Sequence, residues 1–408
     1  MNRFLRTIYF LIVFFCFFPY IAILPLPTDS SPNALIISFI GLFFLIANRK
    51  FILTRDFVRL LIIAAVSVML ILFTDNKFNG IRYAGNYVSL FFLTYVSYVF
   101  MRMYGKVPYK FYKISVFVWF LVGFIQSFIY PDFLIGVTSR NFSSGIGTSL
   151  TEGGRGALGL APEPTYYGWI CVQFLIMGLL NYRREKKFAL YIILILISLV
   201  ILSRSSGALL FLLLSLVIWG GYAVLRVNLK AIKYAIVAVI ISIPLLILLS
   251  NSETRMGYFI RGLSENNNML VEDGSANERM NHVLISFKGC FNNFGLPNGY
   301  ESFGEYYNEQ VTIHRTALQG DYIYQSDSKG NKIMSSLGGM VYELGVYVSL
   351  LFFVILFKIF IFAKNNYIFV LCLTLYVLTI VNALPFAQGF VCLLLANMLY
   401  LKDSRQQP

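Results

Sequence analysis

Long apolar runs without any charge constrain this chain more than any other feature of its sequence. Residues 188–202 and 234–250 contain no charged side chain, and a bilayer-spanning helix needs about 20 mostly apolar residues. Only 13% of the 408 residues are charged, about half the share of an ordinary soluble domain. A chain that crosses lipid must satisfy its own backbone hydrogen bonds, and the sequence lacks the alternating segments of a β-barrel. The sequence therefore predicts an all-α, polytopic integral membrane protein.

About twelve transmembrane helices are predicted, within a single membrane domain covering 1–408. The first run follows two basic residues and has no small-residue cleavage site after it, which favours a retained helix over a cleaved signal peptide. The predicted spans lie at about 7–25, 33–47, 57–73, 87–101, 114–130, 162–180, 188–203, 207–225, 234–250, 337–357, 367–381 and 387–401.

Basic residues are concentrated in the segments that alternate spans place on one side. The seven segments hold 20 of the 33 Lys and Arg residues and only three acids; they are the N-terminus, 48–56, 102–113, 181–187, 226–233, 358–366 and the C-terminal tail. Such an excess marks the cytoplasmic side of a membrane. It accounts for the net charge of +14 without a nucleic-acid partner. We therefore expect a multi-pass protein of a bacterial inner membrane with both ends cytoplasmic. Its periplasmic connections include a smaller loop at 131–161 and a large one at 251–336.

The first candidate site is the Gly-rich loop before the sixth predicted span. Arg155 lies in this loop, and Glu163 follows between Pro162 and Pro164. Glycines let backbone amides approach a ligand, a helix N-terminus favours an anion, and an arginine can bind a phosphate through two hydrogen bonds. In the alternative interpretation, the prolines only start a helix and Glu163 is a first-turn carboxylate stabilised by the helix dipole.

The second candidate is the short polar turn Ser203-Arg-Ser-Ser-Gly207 between two very apolar runs. Arg204 facing the bundle would be a fixed positive charge suited to a diphosphate. Facing lipid, it would only extend to the headgroups.

The large loop is the third candidate. It contains Glu278-Arg-Met-Asn-His282 and, further on, Phe294-Gly-Leu-Pro-Asn-Gly299, with eleven aromatic residues between 251 and 336. A surface of aromatic, acidic and basic side chains suits a phosphate-bearing oligosaccharide. The alternative is that the aromatics form a small loop core or an interfacial belt.

A fourth candidate, Glu343, lies about two helical turns into the tenth predicted span. Ionisable residues inside a membrane are costly and are functional candidates for that reason, although a structural hydrogen bond to a neighbouring helix would also explain it. Neither a nucleotide-binding motif nor a His/Cys metal-ligand spacing is present. We therefore expect no metal and no cofactor.

These motifs, in this order, resemble the O-antigen polymerases, to which the O-antigen ligases are related. The resemblance rests on Arg155…Glu163-Pro164, on the turn 203–207, and on Glu278-Arg279 followed by Gly295, Gly299 and Tyr342-Glu-Leu-Gly345. It implies a GT-C-like, metal-independent membrane glycosyltransferase that moves a growing glycan from undecaprenyl diphosphate onto an incoming lipid-linked repeat unit. Its partners would be undecaprenyl-diphosphate-linked oligosaccharides and membrane lipids, with a chain-length regulator as a further candidate partner.

The resemblance also distributes roles among the candidates. Arg155, Arg204 and Arg279 would hold the departing diphosphate, whereas the catalytic candidates that would act on the acceptor hydroxyl are Glu163, Glu278, His282 and Glu343. Ligases tend to carry a His-Asn pair at the place where this chain has Met334-Ser-Ser336, which favours a polymerase. The alternatives are an O-antigen ligase, a lipid-linked oligosaccharide flippase or transporter, and an export component without chemistry.

Overall fold

The structure, a computed structural model, describes residues 2–23, 30–138, 156–226, 274–313, 333–382 and 384–404, with single positions between 229 and 262. This part of the chain is helical and contains no β-strand, which confirms the all-α class. The helices, numbered here in chain order, are α1 Asn2–Phe17, α2 Asn33–Ala47, α3 Arg55–Leu70, α4 Lys77–Tyr104, α5 Tyr109–Phe128, α6 Pro164–Asn181, α7 Phe188–Ile197, α8 Ser206–Leu225, α9 Gly274–Asn292, α10 Phe303–Ile313, α11 Ser336–Ala363, α12 Tyr367–Asn382 and α13 Gly389–Ser404.

Each predicted span that falls on described residues coincides with one of these helices. The first span is wrong at its end, because α1 stops at Phe17 rather than near 25; Pro19 lacks an amide hydrogen and disfavours helix in the residue before it. The predicted span 234–250 lies almost wholly outside the described residues. By length and composition, five helical segments of the described chain can cross a membrane: Arg55–Phe73, Lys77–Tyr104, Tyr109–Phe128, Ser206–Leu225 and Ser336–Ala363.

The bundle has an inner and an outer set of helices. Helix α13 is buried without interruption from Gly389 to Leu399, and it packs against α4, α1 and α6. The outer helices instead expose large apolar side chains, among them Phe43, Leu72, Phe117, Val217 and Phe357. An apolar exterior of this kind is what a helix bundle presents to lipid.

Contacts between the segments that connect the helices show which of them lie at the same end of the bundle. At one end Asp56 contacts Lys358 and Lys402. At the same end, the Lys106 ammonium donates a hydrogen bond to the Asn181 carbonyl, and the Tyr222 hydroxyl donates one to the Lys364 carbonyl. We call it the basic end, because it gathers segments in which the sequence concentrates Lys and Arg. The opposite end holds the turn 203–207.

Helices α9 and α10, from the predicted large loop, pack on the first half of α11 and enclose a small core of their own. Its buried members are Ile285, Phe303, Tyr307, Ile333 and Tyr342. The loop aromatics Phe303 and Tyr307 therefore fill a core together with Tyr342 of α11, as in the alternative interpretation of the sequence, rather than an open platform for sugars.

Helix α11 is broken at Gly345, whose φ of 78° and ψ of 165° are not helical. The segment 294–299 docks on this break: the Val346 amide donates to the Gly295 carbonyl at 2.9 Å, and the amides of Asn298 and Gly299 donate to the carbonyls of Tyr342 and Glu343 at 3.0 and 3.3 Å. Two motifs that lie about 45 residues apart in the sequence thus form one backbone junction.

Candidate functional site

The turn 203–207 is shaped by an irregular end of the preceding helix. Residues Ser198–Leu202 form a π-helical turn that continues α7, and the Ser203 amide donates to the Ser198 carbonyl at 2.8 Å. Single π-turns are rare and frequently mark functional sites. Arg204 then adopts a φ of +47°, uncommon for a residue other than glycine, and its side chain is exposed. Ser205 caps α8 by accepting the Ala208 amide at 3.3 Å. The turn therefore fixes the backbone of Arg204 and leaves its positively charged side chain exposed.

The chain that follows Arg155 lies directly against this turn. The Ala157 amide donates to the Leu202 carbonyl at 2.7 Å, and a Cβ on Gly156 would overlap the carbonyl of Ser203. Only glycine permits so close an approach of two backbones. Arg155 itself lies outside the described residues, but its neighbour is fixed beside the residue that precedes Arg204.

Arg279 reaches the same turn from α9. Its Nη1 atom lies 3.6 Å from the position that a Cβ on Gly207 would occupy. Arg279 is half-buried, and α9 begins only five residues before it. Three segments that are remote in sequence, namely 156–157, 203–207 and the first turns of α9, therefore meet at one place. We call it the arginine site.

Glu163 lies at the N-terminus of α6, after a buried segment of the chain. It is the residue before Pro164, the first residue of α6, and is half-buried with extended backbone. The stretch 156–161 is buried and is held by Gln126, which accepts the Gly159 amide at 2.6 Å and donates to the carbonyls of Gly159 and Phe133 at 2.9 and 2.7 Å. Glu163 thus follows a rigid segment that begins at the arginine site.

His282 lies one turn beyond Arg279 on α9 and is buried, with 3% of its surface exposed. Its Nδ1 accepts the Met334 amide at 3.1 Å, and its ring packs on Phe303 and Tyr307. Burial lowers the pKa of the imidazole to about 4. A neutral ring with Nδ1 as acceptor carries its proton on Nε2, so His282 positions the start of α11 through one nitrogen.

Glu343 belongs to a different part of the molecule. It is 6% exposed, and its Oε2 accepts the Tyr87 hydroxyl at 2.6 Å. Its neighbour Tyr342 packs beside Gly289, ten residues along α9 from Arg279, or roughly 15 Å at the rise of an α-helix. Burial, with the Glu343 carboxylate as a further cause, raises the pKa of Tyr300 beside it. The structure therefore places the Arg279 side chain beside Gly207, in the turn that carries Arg204, and sets Glu343 apart at the docked junction of α11.

Two other expectations bear on the chemistry of the site. The backbone of Glu278 lies in α9 next to Arg279, whereas its side chain is outside the described part of the structure. Within the described residues no group of three His, Cys, Asp or Glu side chains could hold a metal ion. Metal-independent chemistry remains a prediction.

Sequence reasoning missed several buried polar residues that organise this end of the bundle. Gln173 of α6 donates to the Gln388 side chain at 2.6 Å, which in turn donates to the Tyr20 hydroxyl at 2.9 Å. Gln126 is the clamp described above. Each glutamine interrupts an apolar stretch, and a lone polar side chain inside a span was the available signal. Tyr87 gave no such signal, because tyrosines are common throughout this chain.

No protein-family model matches the chain, and no curated protein matches it.

Proposed function

We propose that this protein is a bacterial inner-membrane polymerase of O-antigen type, a lipid-linked glycosyltransferase. It transfers a growing glycan from undecaprenyl diphosphate onto the terminal sugar of an incoming lipid-linked repeat unit. The acceptor hydroxyl oxygen bonds to the anomeric carbon of the donor glycan, the bond from that carbon to the diphosphate oxygen breaks, and undecaprenyl diphosphate leaves. The hydroxyl proton passes to a protein base. The leaving group is already activated, so the protein must mainly stabilise the departing charge and orient the acceptor.

The observation that carries the proposal is the meeting of Arg279 with the turn 203–207. With Arg279 beside the turn that carries Arg204, two guanidinium groups from distant segments can act as forked donors to one diphosphate, and an arginine keeps its charge in a poorly solvated place. Gly156 against Ser203 supports a third contribution, because it fixes the residue next to Arg155 beside the same turn.

Among the catalytic candidates, we assign the acceptor proton to Glu163 or Glu278. Glu278 neighbours Arg279 in sequence, and Glu163 ends the buried stretch that starts at the arginine site. The Nδ1 atom of His282 is occupied by the Met334 amide, which favours a positioning role. Glu343 lies on α11 beside Tyr342, which packs near Gly289 roughly 15 Å along α9 from Arg279, so we assign it to the junction that holds the loop on α11 rather than to direct contact with the diphosphate.

The proposed topology places the basic end in the cytoplasm, because an excess of Lys and Arg marks that side. About twelve spans then put both chain ends inside and the arginine site in the periplasm, together with loops 131–161 and 251–336. Repeat units on undecaprenyl diphosphate would reach the enzyme there, and a chain-length regulator would bind to this face.

The decisive experiment compares single alanine variants of Arg204 and Arg279 with Arg82→Ala. Arg82 is an exposed cation near the first turn of α4, at the same end of the bundle, and serves as the matched control. With purified protein and synthetic undecaprenyl-diphosphate repeat units, each site variant should elongate about 100-fold more slowly, while the control stays near the wild type. Arg→Lys should restore only part of the rate. Site variants as fast as the control at equal protein level contradict the proposal.

A gene deletion separates the polymerase from its alternatives. Loss of the polymerase leaves lipopolysaccharide with a single repeat unit, because a separate ligase still attaches it. Complete loss of attached units with accumulation of long lipid-linked polymer identifies a ligase instead. Lipid-linked single units confined to the cytoplasmic leaflet identify a flippase.

A further inference from the structure

Three basic side chains meet one carboxylate at the basic end, far from the arginine site. Asp56, at the start of α3, accepts Arg59 Nη1 at 2.6 Å and Lys358 Nζ at 2.9 Å on Oδ1, and Lys402 Nζ at 2.6 Å on Oδ2. We call these four residues the Asp56 cluster. It ties α3 to α11 and α13, so its place is fixed by three helices.

The cluster carries more positive than negative charge. Lys402 is shielded, since its side chain is 11% exposed and also lies 3.6 Å from an oxygen of Asp403. Arg59 and Lys358 share the single oxygen Oδ1, and their side chains are 24% and 38% exposed. A guanidinium has five N–H donors and an ammonium three, so one shared oxygen leaves most of these donors available to an anion from outside.

An apolar surface adjoins these two cations. Next to Arg59, α3 exposes Val58 and Leu61, which are both 38% exposed. On α11 the positions around Lys358 are Val354, Phe357 and Ile361, at 38%, 61% and 46%. They are spaced three and four residues apart, and so form one stripe of the helix. Helices α3 and α11 pack against each other. Arg59 and Lys358 therefore lie next to two adjacent apolar faces, one on each helix.

We infer that the Asp56 cluster and the apolar faces of α3 and α11 bind an anionic glycerophospholipid. Its phosphate contacts Arg59 and Lys358, and its acyl chains lie along α3 and α11. A free anion would use the cations but leave the apolar faces uncovered, whereas a zwitterionic lipid would cover the faces but bring no net charge. Basic pockets between helices on the cytoplasmic side recognise anionic headgroups in this way. The inference depends on membrane insertion and not on the proposed transferase activity.

The test uses detergent-purified full-length protein titrated with short-chain phosphatidylglycerol, with thermal unfolding as the readout. The variant R59Q/K358Q removes the two partly exposed cations of the cluster, while Lys402 still pairs with Asp56. The matched control R184Q/K186Q removes one Arg and one Lys, both exposed, from another connection at the basic end. Phosphatidylglycerol should stabilise wild type and control alike, and its apparent affinity should fall roughly 30-fold in R59Q/K358Q.

Two further probes define the outcomes that overturn the inference. Phosphatidylcholine that stabilises the wild type at the same concentrations would mean that charge is not recognised. Inorganic phosphate that does so would mean a free-anion site without a lipid. An equal loss of affinity in R184Q/K186Q would mean diffuse attraction over the whole basic end. If the double variant does not accumulate, Lys358→Gln alone should weaken phosphatidylglycerol about fivefold, and an unchanged affinity in it contradicts the proposal.

Discussion

Replacing Gly345 with alanine tests whether the break in α11 holds the loop segment 294–299 in place. The Gly345 backbone, at φ 78° and ψ 165°, lies in a region that is essentially restricted to glycine and costs other residues about 1–3 kcal/mol. A Cβ would also come within 2.7 Å of the Gly295 carbonyl oxygen and within 2.9 Å of backbone atoms of Pro297 and Leu296. Because those atoms are backbone, relief requires the segment to leave its dock. Undocking breaks the three backbone hydrogen bonds of the junction, which contribute about 1 kcal/mol each. We therefore expect the added strain and overlap to cost the docked state about 3 kcal/mol, comparable to the hydrogen bonds that hold it, which makes the opened state about 100-fold more populated.

Substitutions at two other glycines separate the cost of backbone strain from the cost of steric overlap. Gly299 has a φ of +74° but open space where a Cβ would lie, so Gly299→Ala should cost only about 1 kcal/mol. Gly85, inside α4, has neither problem, and Gly85→Ala should be neutral or slightly stabilising.

The assay for this series is the alkylation rate of Cys290, read by peptide mass spectrometry. Cys290 is fully buried and its carbonyl accepts the Gly295 amide at 2.8 Å; burial also raises the pKa of its thiol. Buried Cys171 of α6 reports global unfolding in the same sample. The order of Cys290 rates should be Gly345→Ala, then Gly299→Ala, then Gly85→Ala, with Cys171 protected throughout. Equal Cys290 rates in Gly345→Ala and Gly85→Ala would refute the reasoning.

Two further predictions concern stability in detergent. Gln126→Leu removes three hydrogen bonds and leaves the Gly159 amide buried without its acceptor, so it should lower the free energy of unfolding by about 3 kcal/mol. The control is the neighbouring Ser127→Ala, which loses one hydrogen bond within its helix and should cost under about 1 kcal/mol. Equal losses in denaturant titrations would contradict the role of Gln126 in holding the stretch 156–161. Burial lowers the pKa of His282 from the usual 6.5 to about 4. Between these two pH values the unfolded chain therefore binds a proton that the folded chain does not. The free energy of unfolding should fall by about 3 kcal/mol as the pH drops from 6.5 to 4. His282→Gln should remove that part of the pH dependence, and a wild-type slope kept in the variant would show that another group causes it.

The helices could be predicted from the sequence because exclusion of charge from a span is a local property. Runs such as 188–202 show it residue by residue. The end of α1 was misplaced because the apolar run continues past Pro19, and hydrophobicity alone does not register the loss of an amide donor.

The sequence could predict the candidate site only where the order of the helices alone places its residues at the same end of the bundle. Arg204 and Arg279 both lie at the end of the bundle opposite the basic end, and the Arg279 side chain lies beside Gly207, in the turn that carries Arg204. The position of Glu343 depends on a helix break at Gly345 and on a loop that inserts there, and neither leaves a periodic signal. The partner of Gln126 lies 33 residues away, and nothing in the sequence identifies Gly159 as its counterpart.

The burial of α13 has a consequence for how the bundle is assembled in the membrane. This helix follows all the other described helices in the chain, yet it occupies the interior between α4, α1 and α6. As a ribosome feeds the chain into the bilayer, the earlier helices must wait with a gap between them, filled by lipid or by an assisting protein, until α13 is inserted. A ribosome stalled before Gly389 would thus leave an open, protease-sensitive intermediate, even though every residue of the arginine site has already been made.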